Sequence, residues 1–338
     1  MFRTQVVNHP SLAQLFADDF LIGAAVSPQT MQTQHDLLIH HFNSITAENE
    51  MKFERVHPTE DEYSFEKADE IVNFAKANQL AVRGHTLIWH NQTSEWIFKN
   101  QDGSEVSREQ LLERMEAHIQ TVMQRYKGQI YAWDVVNEVI SDQEKEFLRP
   151  SKWLDIIGDE FIAKAFEFAH AVEPNAALFY NDYNAVIPEK RDKIYHLVQS
   201  LLKSGAPIHG IGLQGHWNIY TPSLDNIRAA IEKYASLGLK LHITELDLSV
   251  YAHEDKRVDL TEPTAEMLEL QAKRYKDIFA LFKEYRQYIE SVTFWGAADD
   301  YTWLDNFPVR GRKNWPFLFD QHHRPKQSYW ELVDLSKQ

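Results

Sequence analysis

Two stretches of this chain carry an apolar run up to a glutamate. Tyr131-Ala132-Trp133-Asp134-Val135-Val136-Asn137-Glu138 closes on an amide followed by a carboxylate, and Leu241-His242-Ile243-Thr244-Glu245-Leu246-Asp247 repeats the arrangement later in the chain. A pair of carboxylates converging on one mouth is what glycoside hydrolysis needs: one protonated for the departing oxygen, the other ionised to attack the anomeric carbon. Trp89, Trp217, Trp295 and Trp303 fall at or just after similar runs, where flat rings pack against sugar faces while amides and histidines bind hydroxyls. A single strand-end Glu is more often an ion-pair or capping residue, and a lone Trp is usually core. The recurrence of such ends along the chain is what favours a site.

The elements that would position these residues are short β-branched and aromatic runs separated by stretches of helical periodicity, which is the pattern of βα units. Eight runs fit: Phe20 to Val26, Ser44 to Asn49, Ala81 to His90, Tyr131 to Val139, Ala177 to Asn184, Gly210 to Trp217, Leu241 to Val250 and Ser291 to Asp299. Ser107 to Lys127 and Glu262 to Arg286 read as helices between them, with apolar residues at three- and four-residue spacing. Eight parallel strands suit closure into a single-domain (β/α)₈ TIM barrel covering residues 1–338, because no Pro-rich or Gly/Ser-rich linker divides the chain. A doubly wound open sheet is the competitor, but Ser27-Pro28-Gln29 follows the first run where that fold would place a GxGxxG turn. In a closed barrel the functional end is the C-terminal end of the strands. There the chain reads Thr46-Ala47-Glu48-Asn49-Glu50, Gly84-His85-Thr86, Asn137-Glu138, Asn181-Asp182-Tyr183, Gln214-Gly215-His216-Trp217, Thr244-Glu245-Leu246-Asp247 and Trp295.

Composition narrows the partners. A net charge of −15, from 35 basic and 50 acidic residues, argues against nucleic acid and anionic membranes and leaves a neutral substrate unaffected. The chain has no cysteine, which removes disulfides, thiol catalysis and thiolate metal sites. Met1 to Asp19 lacks an apolar h-region and no run reaches membrane-spanning length, so a cytoplasmic protein is expected. Among the 16 histidines, His85, His90, His216 and His242 could be imagined as metal ligands. Strand alternation puts His242 opposite Glu245, however, and no HExxH is present, so neither metal nor cofactor is expected.

Taken together, Thr46-Ala47-Glu48-Asn49-Glu50-Met51-Lys52, Arg83-Gly84-His85-Thr86-Leu87-Ile88-Trp89-His90, Trp133-Asp134-Val135-Val136-Asn137-Glu138 and Ile243-Thr244-Glu245-Leu246-Asp247 resemble the signature segments of glycoside hydrolase family 10, the endo-β-1,4-xylanases. The resemblance implies Glu138 as acid/base and Glu245 as nucleophile, with net retention and carboxyl groups ~5 to 5.5 Å apart. It further implies Asn137 on the sugar 2-hydroxyl, and His216 with Asp247 behind Glu245. His85, Trp89, Gln214 and Trp295 would line the reacting subsite, and Glu48, Asn49 and Lys52 would contact the next xylose. Tyr183 and Trp303 match further contacts to a xylan or xylo-oligosaccharide substrate. Ala297-Ala298-Asp299-Asp300-Tyr301-Thr302-Trp303 departs from the family's common pattern, and with the missing cysteines it resembles the intracellular branch. A β-xylosidase or β-1,4-glucanase would share both glutamates. A catalytically silent sugar-binding barrel would keep the tryptophans yet could lose a carboxylate, and a metal-dependent sugar isomerase would lose activity to a chelator.

Overall fold

The computed structural model describes residues 9–337. Nine strands are present among the described residues: β1 Leu21–Val26, β2 Ser44–Ala47, β3 Ala81–Trp89, β4 Ala132–Asn137, β5 Ala177–Asp182, β6 Gly210–Leu213, β7 His216–Asn218, β8 Lys240–Ser249 and β9 Ile289–Phe294. All pairings are parallel. β1 to β6 pair in chain order, β1 also pairs β9, β9 pairs β8, and β8 pairs β6. The eight strands other than β7 therefore close into a barrel, and the chain folds as a single-domain (β/α)₈ TIM barrel.

The strands are buried on both faces because each is covered on the outside by helices and filled on the inside by its neighbours across the barrel. Trp133 on β4 is fully buried, and it packs so closely on Gly84 of β3 that a β-carbon there would collide with its indole. The helices start where short polar side chains can satisfy their free amides. Ser107 and Gln110 form a reciprocal capping box on Arg108–Arg125, and Thr264 accepts from Met267 N at the head of Ala265–Glu284. No helix of the described residues is long and apolar enough to cross a membrane.

The expected sixth run, Gly210 to Trp217, is broken. β6 ends at Leu213, Gly215 takes φ +80°, and β7 resumes as a three-residue strand outside the barrel, paired to the upper part of β8. The interruption turns Gln214 to the mouth instead of continuing the ladder. A second departure concerns His242. Its Nδ1 accepts from Arg83 Nε at 3.1 Å. β3 and β8 are not neighbours, so this contact crosses the barrel interior, the side on which Glu245 also lies. The cause is a β-bulge: between the pairs Ile243–Val292 and Leu246–Phe294, β8 spends Thr244 and Glu245 where β9 spends Thr293 alone. One extra residue reverses the alternation and swings Glu245 to the inside.

Candidate active site

The strand tops surround a cleft of ≈ 660 Å³, lined by Glu48, Asn49, Lys52, His85, Trp89, Asn137, Glu138, Tyr183, Gln214, His216, Glu245, Trp295 and Trp303. Every substrate-facing residue expected from sequence is thus brought to one place. Asp247 lies directly behind His216 and touches it. Trp217 does not join them; it is buried in the core with its ring 6.4 Å from Phe282, because β7 turns that side away from the mouth. Among the imagined metal ligands, His85 and His216 line the cleft and serve carboxylates, Asp134 beneath it and Glu245 within it; His242 serves Arg83 beneath it, and His90 lines a separate small pocket.

A ladder of charges rises from the barrel interior. Arg83 and Asp134, both fully buried, form a bidentate ion pair. Asp134 also takes His85 Nδ1 at 2.9 Å, and that nitrogen lies 3.9 Å from Glu245 Oε1. Asp134 would be pushed up by its burial, but the Arg83 charge and the His85 and Arg83 hydrogen bonds hold it below the ordinary carboxylate value. Breaking one partner of such a pair would strand a buried charge, so the ladder fixes the height of His85.

Glu245 is 5% exposed and its two oxygens are separately engaged. Asn181 Nδ2 donates to Oε1 at 2.9 Å, and His216 Nε2 meets Oε2 at 2.9 Å. His216 Nδ1 lies 3.0 Å from Asp247 Oδ2, which Trp303 Nε1 also reaches at 2.8 Å. Burial would lower His216, yet the Asp247 charge and hydrogen bond, followed by those of Glu245, raise it to about 10, so the ring is an imidazolium at neutral pH. Burial in turn would raise Glu245, and the His216 hydrogen bond and the His85 and His216 charges outweigh it, holding Glu245 below its ordinary value. A buried, ionised carboxylate beside a cation has the character of a nucleophile.

Glu138 sits in a different setting. It occupies φ +58°, a left-handed conformation uncommon outside glycine, immediately after β4. Its N–H donates to Asn181 O at 2.9 Å, its carbonyl accepts from Arg149 Nε at 3.0 Å, and the two following amides, Val139 N and Ile140 N, both reach Tyr180 Oη at 3.2 Å. These bonds hold the turn in place. The carboxylate accepts Trp89 Nε1 on Oε2 and Gln214 Nε2 on Oε1, each at 2.8 Å. Both donors are neutral, in contrast to the imidazolium on Glu245.

Asn181 and Gln214 each hold both glutamates, in opposite senses. Asn181 takes Glu138 by its backbone carbonyl and Glu245 by its side chain; Gln214 takes Glu138 by its side chain and Glu245 by its carbonyl, which accepts Glu245 N at 2.7 Å. Asn181 fits only because residue 212 is glycine, since a β-carbon there would collide with its Oδ1.

On the opposite flank, Glu48 and Lys52 are each 7% exposed. Lys52 Nζ donates to Asn49 Oδ1 and Gln92 Oε1, both at 2.9 Å, and lies 5.1 Å from the Trp89 ring centroid. Burial raises Glu48 to about 7 against the pull of Lys52 and of the Tyr301 hydroxyl. Trp295 stands edge-on to His85 with centroids 5.3 Å apart, and Trp303 stacks on Phe307 at 4.8 Å. Asn181 belongs to this machinery although the sequence placed it only among the strand ends, without a role, and so do Gln92, Arg149 and Tyr301, to which the sequence assigned none. Asn181 alone had a signal, its place at the end of β5; the others come from loops with no periodicity to mark them.

The profile of glycosyl hydrolase family 10 matches residues 11–335. The chain is 62% identical over 324 residues to endo-1,4-beta-xylanase B of Paenibacillus barcinonensis, covering 96% of this chain and 98% of that one. It is 58% identical over 326 residues to an endo-1,4-beta-xylanase of Geobacillus stearothermophilus, at 96% and 98% coverage. Among solved structures, a P. barcinonensis xylanase complexed with a conduramine derivative superposes with a TM-score of 0.95 at 61% identity, over 97% of this chain and 99% of that one. A mutant structure in complex with xylotriose superposes at 0.94 with 51% identity, over 96% and 100%.

Proposed function

This chain belongs to glycosyl hydrolase family 10, and from that premise we propose how its cleft works as a retaining endo-1,4-β-xylanase. Its substrates are xylan and xylo-oligosaccharides. Glu245 attacks the anomeric carbon of a bound xylose while Glu138 transfers its proton to the departing glycosidic oxygen, so the C–O bond breaks as the xylosyl–Glu245 ester forms. Water then enters, Glu138 takes its proton, and the hydroxyl oxygen displaces Glu245 to give xylose of retained configuration at the new reducing end. The observation that carries this assignment is the unequal setting of the two glutamates: an imidazolium and an amide on Glu245, two neutral N–H donors on Glu138.

Asn137, 1% exposed beside Asn181, is suited to the 2-hydroxyl of the reacting sugar, with His85, Trp89, Gln214 and Trp295 around it. Glu48, Asn49 and Lys52 form a polar set for a second sugar, which an enzyme releasing single terminal units would not need. Tyr183 and Trp303 complete the contacts at the rim, and Asp247 holds His216 charged. The lack of cysteine is compatible with work in a reducing cytoplasm on imported oligosaccharides; fractionation of the source cells would test that placement.

Time-resolved product analysis on xylotetraose and xylohexaose, run beside Glu138→Ala and Glu245→Ala, tests the reading. Internal cleavage to xylobiose and xylotriose that both substitutions abolish is the expected result. Release of xylose alone from one end would replace the endo mode by an exo mode, and full activity in either variant would remove that glutamate from the mechanism.

A further inference from the structure

A cluster of three histidines lies away from the cleft, where the start of the described chain meets the helix His35–His41 and the C-terminal helix Gln327–Leu335. One ring nitrogen each from His9, His40 and His41 falls within 4.8 Å of the others, the one such group of potential metal ligands among the described residues. The His9 and His41 rings are stacked at 5.0 Å between centroids, and the His40 ring stands edge-on to His41 at 4.6 Å. Phe319 and Tyr329 wall the group, with centroids 4.5 Å and 5.7 Å from His41.

The hydrogen bonding leaves ligand positions open. His40 Nε2 lies 2.8 Å from the His9 carbonyl, which can only accept, so in the neutral ring the proton is on Nε2 and the lone pair on Nδ1. Such an Nε2–H···O=C bond is the orienting contact usual behind a metal-bound imidazole. His9 Nδ1 and His41 Nε2 are buried and have no hydrogen-bond partner among the described residues. His41 is fully buried, and its other nitrogen receives only a long contact from Leu12 N at 3.4 Å. Orphaned buried imidazole nitrogens demand an explanation.

We propose that His9, His40 and His41 form a binding site for a divalent transition metal such as Zn²⁺, which clamps the N-terminal segment to the helix His35–His41, alongside the C-terminal helix. Tetrahedral Zn–N bonds of ~2.0–2.1 Å bring ligand nitrogens to about 3.3 Å from one another, so the three rings close inward on binding. A fourth position remains for water. Ligation through His41 Nε2 moves its proton to Nδ1 and gives up the Leu12 contact. Tyr329 Oη already donates to Pro10 O at 2.5 Å, so the closed metal site would tighten an existing junction between the two ends of the chain.

The test uses the full chain, stripped with chelator and dialysed. Calorimetric titration with Zn²⁺ should give one tight equivalent, Co²⁺ should develop the visible absorption of a four-coordinate centre, and Zn²⁺ should raise Tm without altering kcat. His9→Ala and His40→Ala, both at half-buried rings that leave the core intact, should each lose at least the roughly 10- to 100-fold in affinity that removal of an outer partner alone costs. A His322→Ala/His323→Ala variant, altering the paired histidines of a turn near the C-terminus, should bind as the parent does. Absence of a tight equivalent, or one unchanged in His9→Ala and His40→Ala, would overturn the proposal, as would its loss in the His322/His323 variant.

Discussion

Replacing His216 by Gln removes a cation while keeping a hydrogen-bond donor of similar reach, and it isolates what the charge does for Glu245. The ring contacts Glu245 Oε2 at 2.9 Å and Asp247 Oδ2 at 3.0 Å. A hydrogen bond to a charged partner contributes about 1.5–3 kcal/mol, and each pH unit corresponds to about 1.36 kcal/mol. Glu245 should therefore protonate about 1–2 pH units higher in the variant, and the acidic limb of kcat/KM should move up with it. The same charge has a signature in stability. A rise from 6.5 to about 10 for His216 corresponds to about 5 kcal/mol of preference for the charged ring. The side chain keeps 18% exposure, so screening reduces the expected contribution to roughly 3 kcal/mol. Because the folded value lies above the unfolded one, that contribution is complete below about pH 6.5 and is lost as pH rises through about 10. The parent's Tm should thus decline across this window, and the decline should be smaller in His216→Gln. The assay is kcat/KM on an aryl β-xylobioside from about pH 4 to 9, paired with thermal melts over the same range and up to about pH 10. An acidic limb that stays put while the plateau falls uniformly would refute the reasoning, because it would mean that His216 contributes shape and not charge.

Tyr180→Phe removes the hydroxyl that accepts from Val139 N and Ile140 N, leaving two buried amides unpaired beside Glu138; a loss of about 1–3 kcal/mol per orphaned group is expected in denaturant unfolding, with kcat falling more than KM rises. Gly212→Ala should displace Asn181 and with it both glutamates, lowering kcat by roughly 100-fold, as a misplacement of about 1 Å can; unchanged kinetics would mean that the strand yields at no cost to the site. Glu48→Gln should flatten stability against pH. The raised Glu48, moving from 4.5 to about 7, favours the folded state by about 3 kcal/mol below pH 4.5, a contribution that vanishes as pH passes about 7. Urea midpoints at about pH 4.5 and 8 would register the difference.

The eight strands were legible because each is a short run of β-branched and aromatic residues, buried on both faces, that stops at a polar residue. Glu138 and Glu245 stood out for the same reason. What the one-dimensional pattern could not carry were the irregularities that aim the side chains. The period of two puts His242 and Glu245 on opposite faces, and only the bulge against Thr293 brings both inside. The run Gly210 to Trp217 looked continuous because Gln214-Gly215 interrupts it by backbone conformation and not by composition, and Trp217 was drawn to the cleft by that reading. Arg149 acts on the Glu138 carbonyl from a loop whose course follows from the tertiary fold alone. The His9, His40 and His41 group was equally hidden, since two neighbouring residues on one helix meet a third from 31 positions away.

The crossed attachment of Asn181 and Gln214 to both glutamates works as a linkage in the mechanical sense. Each carboxylate also has a partner of its own, Trp89 on Glu138 and His216 on Glu245, but the shared pair means that a drift of the β5 top or of the β6–β7 break acts on both glutamates at once. The distance on which the choice between retention and inversion depends is therefore set in part by supports common to both glutamates. The same linkage restricts what substitution can do: a change at Asn181 or Gln214 aimed at one glutamate will register at the other.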